Sequence, residues 1–211
     1  AYVYLPNTSN LGYEYFRRYF FPQANRDGIV IDERFNGGGS YPDYYIDILR
    51  RPFIANWAMR YGSDMKTPLA SIQGPKVMLI DETAGSGGDL LPWMFRKMQL
   101  GPLVGKRTWG GVIGIRHPLP LSDGGQFFRP EFAPYGKAGK NWVVDGHGVD
   151  PDIDDADAPA KDYHGEDQQL DRAILEVTNE MKTRTPDKPQ ELPTPPPFPT
   201  RMPTPEPPQR G

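Results

Sequence analysis

Apolar and polar positions alternate along this chain with two different periods, and the switches between them predict an order of elements. Short, nearly unbroken apolar runs at residues 1–5, 28–32, 76–80 and 103–106 have the length and side-chain types of buried strands. Between and after them, apolar residues recur at helical spacing over residues 11–21, 44–49, 90–100 and 168–182. In the last of these, Leu170, Ile174, Val177 and Met181 share one face. Weaker strand patterns occupy residues 112–115, 126–128 and 142–144. Strands alternating with helices predict an α/β layer fold, and the early strands are too apolar to have a wet face.

Length and composition set the limits. At 211 residues the chain can hold one substantial domain and an extension. The composition changes near Thr185, so residues 1–185 are expected to form the folded domain and residues 186–211 a proline-rich tail. Pro193-Thr-Pro-Pro-Pro-Phe-Pro199 lacks spaced apolar residues and reads as extended solvated chain, with a ligand for a proline-binding domain as the alternative. A net charge of −3 argues against nucleic acid or an anionic membrane as partner, and no apolar run approaches a membrane span. The absence of cysteine removes disulfides and thiolate chemistry. Ala1-Tyr-Val-Tyr-Leu5 reads as the interior of a strand without an initiator Met, so the chain is expected to be the C-terminal piece of something longer.

Candidate chemistry sits in two glycine-rich turns, each following one of the most apolar strands. The first is Asp32-Glu-Arg-Phe-Asn-Gly-Gly-Gly39 and the second is Gly85-Ser-Gly-Gly88. Neighbouring parallel strands end on the same side of a sheet, so both turns are expected at one edge. A serine between glycines at a strand-to-helix junction is exposed, close to free backbone N–H groups and to the positive end of a helix dipole, which makes Ser86 the candidate nucleophile. The competing reading is structural: Ser86 and Asp89 form S-x-x-D, the pattern of a helix cap. Pro92 weighs against it, because a helix capped by Ser86 would place that proline in its interior, whereas capping by Asp89 keeps it in the first turn.

Four motifs together carry a family resemblance. Asp32-Glu-Arg-Phe-Asn-Gly-Gly-Gly39, Glu82-Thr-Ala-Gly-Ser-Gly-Gly-Asp89, Gly105-Lys-Arg-Thr-Trp-Gly-Gly-Val-Ile-Gly114 and Gly148-Val-Asp-Pro-Asp-Ile153 resemble, in that order, the C-terminal catalytic domain of tricorn-type proteases. These belong to the C-terminal-processing (tail-specific) serine peptidases. The resemblance implies a crotonase-like or Clp-protease-like α/β sandwich of β-β-α units and peptide-bond hydrolysis without a cofactor or metal. It implies Ser86 as nucleophile, the N–H groups of Gly39 and Gly87 as oxyanion donors, and Asp145 as the acidic member supporting a histidine. It places a peptide-binding strand near Val112 to Ile115, including Gly114.

The resemblance also implies partners: a peptide or unfolded protein substrate, an upstream segment supplying the histidine and a PDZ-like domain, and a homo-oligomer. It favours the cytoplasm, with export as the alternative. An ungapped count from Gly39 puts Trp57 where such enzymes select basic side chains, so Trp57 is a candidate pocket residue without that preference. Tyr41, Tyr44 and Tyr45 are expected mainly in the core. Of the histidines, His147 reads as a polar turn residue, and His117 and His164 as surface residues. Asp150-Pro-Asp-Ile-Asp-Asp155 lacks the spacing of a calcium loop and reads as a solvated loop. Two other classes of function use the same features: a crotonase-type enzyme holding a thioester oxyanion, and a non-catalytic peptide-binding module.

Overall fold

The computed structural model describes residues 1–115, 120–184 and 191–194. In chain order its elements are β1 (Tyr2–Tyr4), α1 (Asn10–Phe20), β2 (Ile29–Asp32), α2 (Pro42–Leu49), β3 (Ala55–Trp57), β4 (Met65–Thr67) and β5 (Lys76–Ile80). Then follow α3 (Gly87–Lys97), β6 (Leu103–Gly105), β7 (Gly114–Ile115), β8 (Pro130–Phe132), β9 (Ile153–Asp154), α4 (Pro159–Tyr163) and α5 (Gln168–Thr183). Five strands form one sheet in the order β1-β2-β5-β6-β9, and every neighbouring pair is parallel. The expected α/β fold is therefore present, with the four apolar runs as its first four strands. The proline-rich tail falls almost wholly outside the described residues, and residues 191–194 have no regular structure.

Strand periodicity sorts the side chains into two cores. Ile29, Ile31, Met78, Ile80 and Leu103 face a layer built by Phe16 and Phe20 of α1, Tyr45 and Ile46 of α2, and Leu91 and Phe95 of α3. Val30, Val77, Leu79 and Val104 point the other way, onto Ala173 and Val177 of α5. Each such fully buried side chain contributes roughly 1.5–3 kcal/mol. Helices on both faces explain why β2 and β5 are buried along their whole length.

Several weaker expectations are corrected. Residues 126–128 and 142–144 are not strands; they make only isolated bridges, Pro120 with Gln126 and Tyr135 with Trp142. Phe127, Phe128 and Trp142 are exposed, so their preference for a pleated surface finds no sheet to pack on. The partner of β7 is instead β8. The hairpin β3–β4 and the edge strand β9 carry little apolar periodicity and left no strand signal. The acidic run 150–155 is not a solvated loop: it supplies β9, Asp152 accepts the Leu103 N–H at 2.8 Å and pairs with Arg96 at 2.8 Å, and Asp154 pairs with Lys106 at 2.6 Å.

A buried guanidinium joins the sheet to the last helix. Arg34 donates Nε to Asp32 Oδ1 at 2.9 Å and Nη2 to Asp32 Oδ2 at 2.7 Å, while Nη1 and Nη2 reach the two oxygens of Asp167 at 2.9 and 2.7 Å. Asp167 is also the N-cap of α5 and accepts the Leu170 N–H at 2.9 Å. Burial would raise the Asp167 pKa, but the Arg34 fork and the Leu170 N–H together hold it below the usual aspartate value. A depressed carboxyl contributes stability above its unfolded pKa and loses it as pH falls through the lower folded value. Replacing Arg34 by Ala leaves Asp32 buried without its counter-charge, with the Tyr2 hydroxyl still donating to it at 2.8 Å, so Arg34→Ala should lower the unfolding free energy by about 3–5 kcal/mol in urea titrations. Asp167→Asn should flatten the loss of stability that the wild type shows on acidification.

Candidate active site

Parallel register brings the two glycine-rich turns together. Asp32 of β2 lies opposite Leu79 of β5, so both strands end at the same edge of the sheet and their turns leave side by side. Buried polar side chains stitch those turns to each other. Asp81 accepts the Phe35 N–H at 3.1 Å on each oxygen, the Ala84 N–H at 2.9 Å and the Thr83 hydroxyl at 3.0 Å. Asn36 accepts the Gly38 N–H on Oδ1 at 2.9 Å, and its carbonyl accepts the Gly85 N–H at 3.0 Å. Thr8, from the loop after β1, donates its N–H to the Gly38 carbonyl at 2.9 Å. All but the Thr83 bond satisfy a backbone group that the sheet no longer pairs.

Ser86 occupies a strained turn. Its φ of 57° and ψ of −114° are unusual for a residue with a Cβ, and such conformations cost of order 1–3 kcal/mol. The helix α3 begins at Gly87 with Ser86 at its N-cap, and Asp89 reaches back to accept the Ser86 N–H at 2.8 Å. The expectation that Asp89 itself caps the helix is therefore corrected, and Pro92 lies inside α3. The single bond that Pro92 forgoes is offset by packing, since Leu91, Pro92 and Phe95 are all buried. The Ser86 hydroxyl lies over the Asp89 N–H in the capping-box manner but makes no cap hydrogen bond, and that N–H donates to the Ser86 carbonyl at 3.0 Å instead.

Gly39 and Gly87 stand against each other beside this hydroxyl. A Cβ added to Gly87 would lie 2.9 Å from the Gly39 nitrogen, and one added to Gly38 would lie 2.7 Å from Ser86 Cβ. Gly39 has a φ of 142°, which only glycine adopts readily. Among the described residues neither the Gly39 N–H nor the Gly87 N–H has a hydrogen-bond acceptor. Both open with Ser86 onto a crevice of about 790 Å³, whose other wall comprises Trp109, the segment from Gly111 to Ile115, Phe132 and Asp145. Gly114 lies in that wall, on β7. Asp145 is exposed, accepts the Val112 N–H at 3.2 Å, and with Asp43 forms the ionisable lining among the described residues.

Trp57 is not brought to this site. It sits exposed on β3, in a hairpin whose Asn56 and Met65 border a different cavity shared with Arg26 and Gly74, near the opposite ends of β2 and β5. An ungapped count could not register that hairpin. His147 pairs with Asp150 at 2.8 Å and His164 packs on Tyr163; neither lines the crevice, and His117 lies outside the described residues.

Sequence reasoning missed the clamp made by Asn36, Asp81 and Asp89, and the wall made by Trp109. An Asp directly after a strand with Thr two residues later is an Asx-turn signal that could have revealed Asp81. Nothing local to Asp89 shows that it also binds Gly110 and Gly111, at 2.7 and 3.0 Å.

Comparison with known proteins agrees with this geometry. The model of peptidase family S41 matches residues 1–155. Tricorn protease of Thermoplasma acidophilum is 35% identical over 190 residues, covering 90% of this chain and 18% of that protein. Tricorn protease homolog 1 of Streptomyces coelicolor is 34% identical over 190 residues, covering 88% of this chain and 18% of that protein. The chain thus spans about a fifth of the length of these relatives. The crystal structure of the tricorn protease superposes with a TM-score of 0.81 at 36% identity, over 86% of this chain and 18% of that one. Mature CPAF complexed with lactacystin shares the fold, with a TM-score of 0.67 at 15% identity over 87% of this chain and 52% of that one. These similarities favour a peptidase over the thioester reading.

Asp89 provides a direct check of the clamp. An amide in its place keeps a single acceptor oxygen for three N–H groups, so Asp89→Asn should lower stability by about 1–3 kcal/mol. Faster amide exchange at Ser86, Gly110 and Gly111 should accompany it.

Proposed function

The chain belongs to peptidase family S41, and from that premise we propose that the crevice is part of a serine peptidase active site with Ser86 as its nucleophile. The observation that carries this reading is the meeting of a strained, crevice-lining serine with two N–H groups, from separate turns, that have no acceptor among the described residues. The strained turn sets Ser86 in the crevice wall beside Gly39 and Gly87, with its hydroxyl over the first turn of α3. The N–H groups of Gly39 and Gly87 then serve as donors for the oxyanion that forms when the hydroxyl attacks a peptide carbonyl, each worth about 2.7–4 kcal/mol of barrier.

A histidine is required to take the Ser86 proton during attack and return it to the leaving amine; water then hydrolyses the acyl-enzyme. The family resemblance implies that this base comes from an upstream segment of the polypeptide, in a protein that also carries a PDZ-like domain; of the described histidines, neither His147 nor His164 lines the crevice. Asp145, facing the crevice, is the acidic group proposed to support it through a second serine. The segment from Val112 to Ile115 is proposed to pair with a peptide or unfolded protein substrate, with Gly114 allowing close approach of its backbone. No cofactor enters this chemistry. Residues 1–185 form the nucleophile-bearing domain and 186–211 the proline-rich tail. The finer description as a crotonase-like sandwich is supported by the parallel sheet covered on both faces, and assembly as a homo-oligomer by the family resemblance.

Treatment of the full-length protein with a fluorophosphonate should modify Ser86, as read by peptide mass spectrometry. Ser86→Ala should abolish both labelling and hydrolysis of a fluorogenic peptide while leaving the thermal midpoint within a few degrees. Labelling that persists in Ser86→Ala would overturn the assignment.

A further inference from the structure

Glu33 stands where the sheet calls for an apolar side chain. It follows β2 on the face that carries Ile29 and Ile31, because side chains alternate along extended chain, and its N–H still pairs with the Leu79 carbonyl at 3.1 Å. The residue is fully buried. Oε2 accepts from Asn36 Nδ2 at 3.2 Å, and Oε1 has no partner among the described residues. The charged groups that act most strongly on this carboxyl are acids: Asp89 from the start of α3, Asp81 from the turn after β5, and then Asp32 from the end of β2, which is itself paired with Arg34. Burial, and then Asp89 and Asp81, push its pKa well above the glutamate range, against the weaker pull of the Asn36 hydrogen bond.

Asn36 gives this side chain its reach. It is fully buried, and because Oδ1 is committed to the Gly38 N–H, its amide group must point its hydrogens at Glu33. Its carbonyl meanwhile holds the Gly85 N–H at 3.0 Å. One amide thus connects Glu33 to the turn bearing Gly39 and to the turn bearing Ser86.

We propose that Glu33 is a positioning residue for this site: acting through Asn36, it fixes the Gly38–Gly39 turn against the Ser86 turn, and it does so as the neutral acid. Oε2 is then the accepting carbonyl oxygen and Oε1 carries the proton. Ionisation would strengthen the bond from Asn36 but would bury a charge beside Asp81 and Asp89, whose side chains clamp the two turns, and the repulsion would work against that clamp. The proposal rests on reading the Gly39 N–H as an oxyanion donor, and it adds to that reading a group that touches neither substrate nor reacting atoms.

The test compares wild type, Glu33→Leu and Glu33→Gln in the full-length protein. Glu33→Leu removes the acceptor for Asn36, so the rate of fluorophosphonate labelling at Ser86 should fall roughly tenfold to a hundredfold, the scale of a displaced catalytic group. Glu33→Gln keeps an accepting oxygen and no charge, and should rescue most of that rate. Amide exchange at Gly38 should quicken in Glu33→Leu and not in Glu33→Gln. Because the native state holds a proton that the unfolded chain releases in the ordinary glutamate range, wild-type stability should fall as pH rises from that range towards the folded pKa. Glu33→Gln should lack that component, so its thermal midpoint should gain on the wild type over the same span. Glu33→Gln as slow and as exchange-prone as Glu33→Leu, or midpoints running parallel with pH, would overturn the proposal. If wild-type Ser86 is not labelled at all, the peptidase reading fails, and Gly38 exchange with the midpoint slopes still decides the role of Glu33.

Discussion

The site depends on how backbone N–H groups are satisfied where two parallel strands stop. A parallel sheet that ends abruptly leaves donors that water would otherwise take, and here buried polar side chains take them instead. Asp81 holds donors from both turns, Asn36 ties Gly38 to Gly85, and Asp89 holds Ser86, Gly110 and Gly111. Three separate stretches of chain thereby become one rigid rim around the crevice. Hydrogen bonds to an ionised or buried acceptor are worth more than their exposed counterparts, and leaving one unmade costs more still.

The opposite face of the same strand end is fixed by charge. Arg34 sits between Asp32 and Asp167, so the residue that closes β2 and the residue that starts α5 share one guanidinium. Alternation along residues 32–34 thus sends Asp32 and Arg34 to the α5 side and Glu33 to the α3 side. One tripeptide anchors both layers, and its two ends have opposite electrostatic logic: a compensated ion pair on one face and an uncompensated acid on the other. A guanidinium fork suits the first because it can satisfy two carboxylates in one plane.

Much of this was legible before any coordinates, for physical reasons that differ by element. Residues 28–32 and 76–80 declare themselves because a doubly covered strand must be apolar throughout. The convergence of Gly39 with Ser86 followed from parallel register alone. The hairpin β3–β4 and strand β9 were silent because exposed or charge-paired strands carry no apolar period. Trp57 misled because counting residues assumes equal loops, and a hairpin occupies that interval. Pro92 points to a cap at Asp89 because its ring clashes with the preceding turn of a helix interior, and packing of Leu91, Pro92 and Phe95 overrides that preference.

What remains open in the rim is as telling as what is closed. Thr8, Glu33, Asn36, Asp81 and Asp89 are all buried and nearly every neighbouring backbone donor is matched, yet the N–H groups of Gly39 and Gly87 have no acceptor among the described residues. A fold that satisfies Phe35, Gly38, Ala84, Gly85, Ser86, Gly110 and Gly111 with dedicated acceptors could have supplied two more. Glycine at 38 and 87 excludes the side chains that would fill the gap, and the positive φ of Ser86 keeps its hydroxyl beside it. Local rules are broken together here, with strain, unpaired donors and a buried acid concentrated at one edge of an otherwise consistent sheet. Such concentration is expected where function, not stability, selects the geometry.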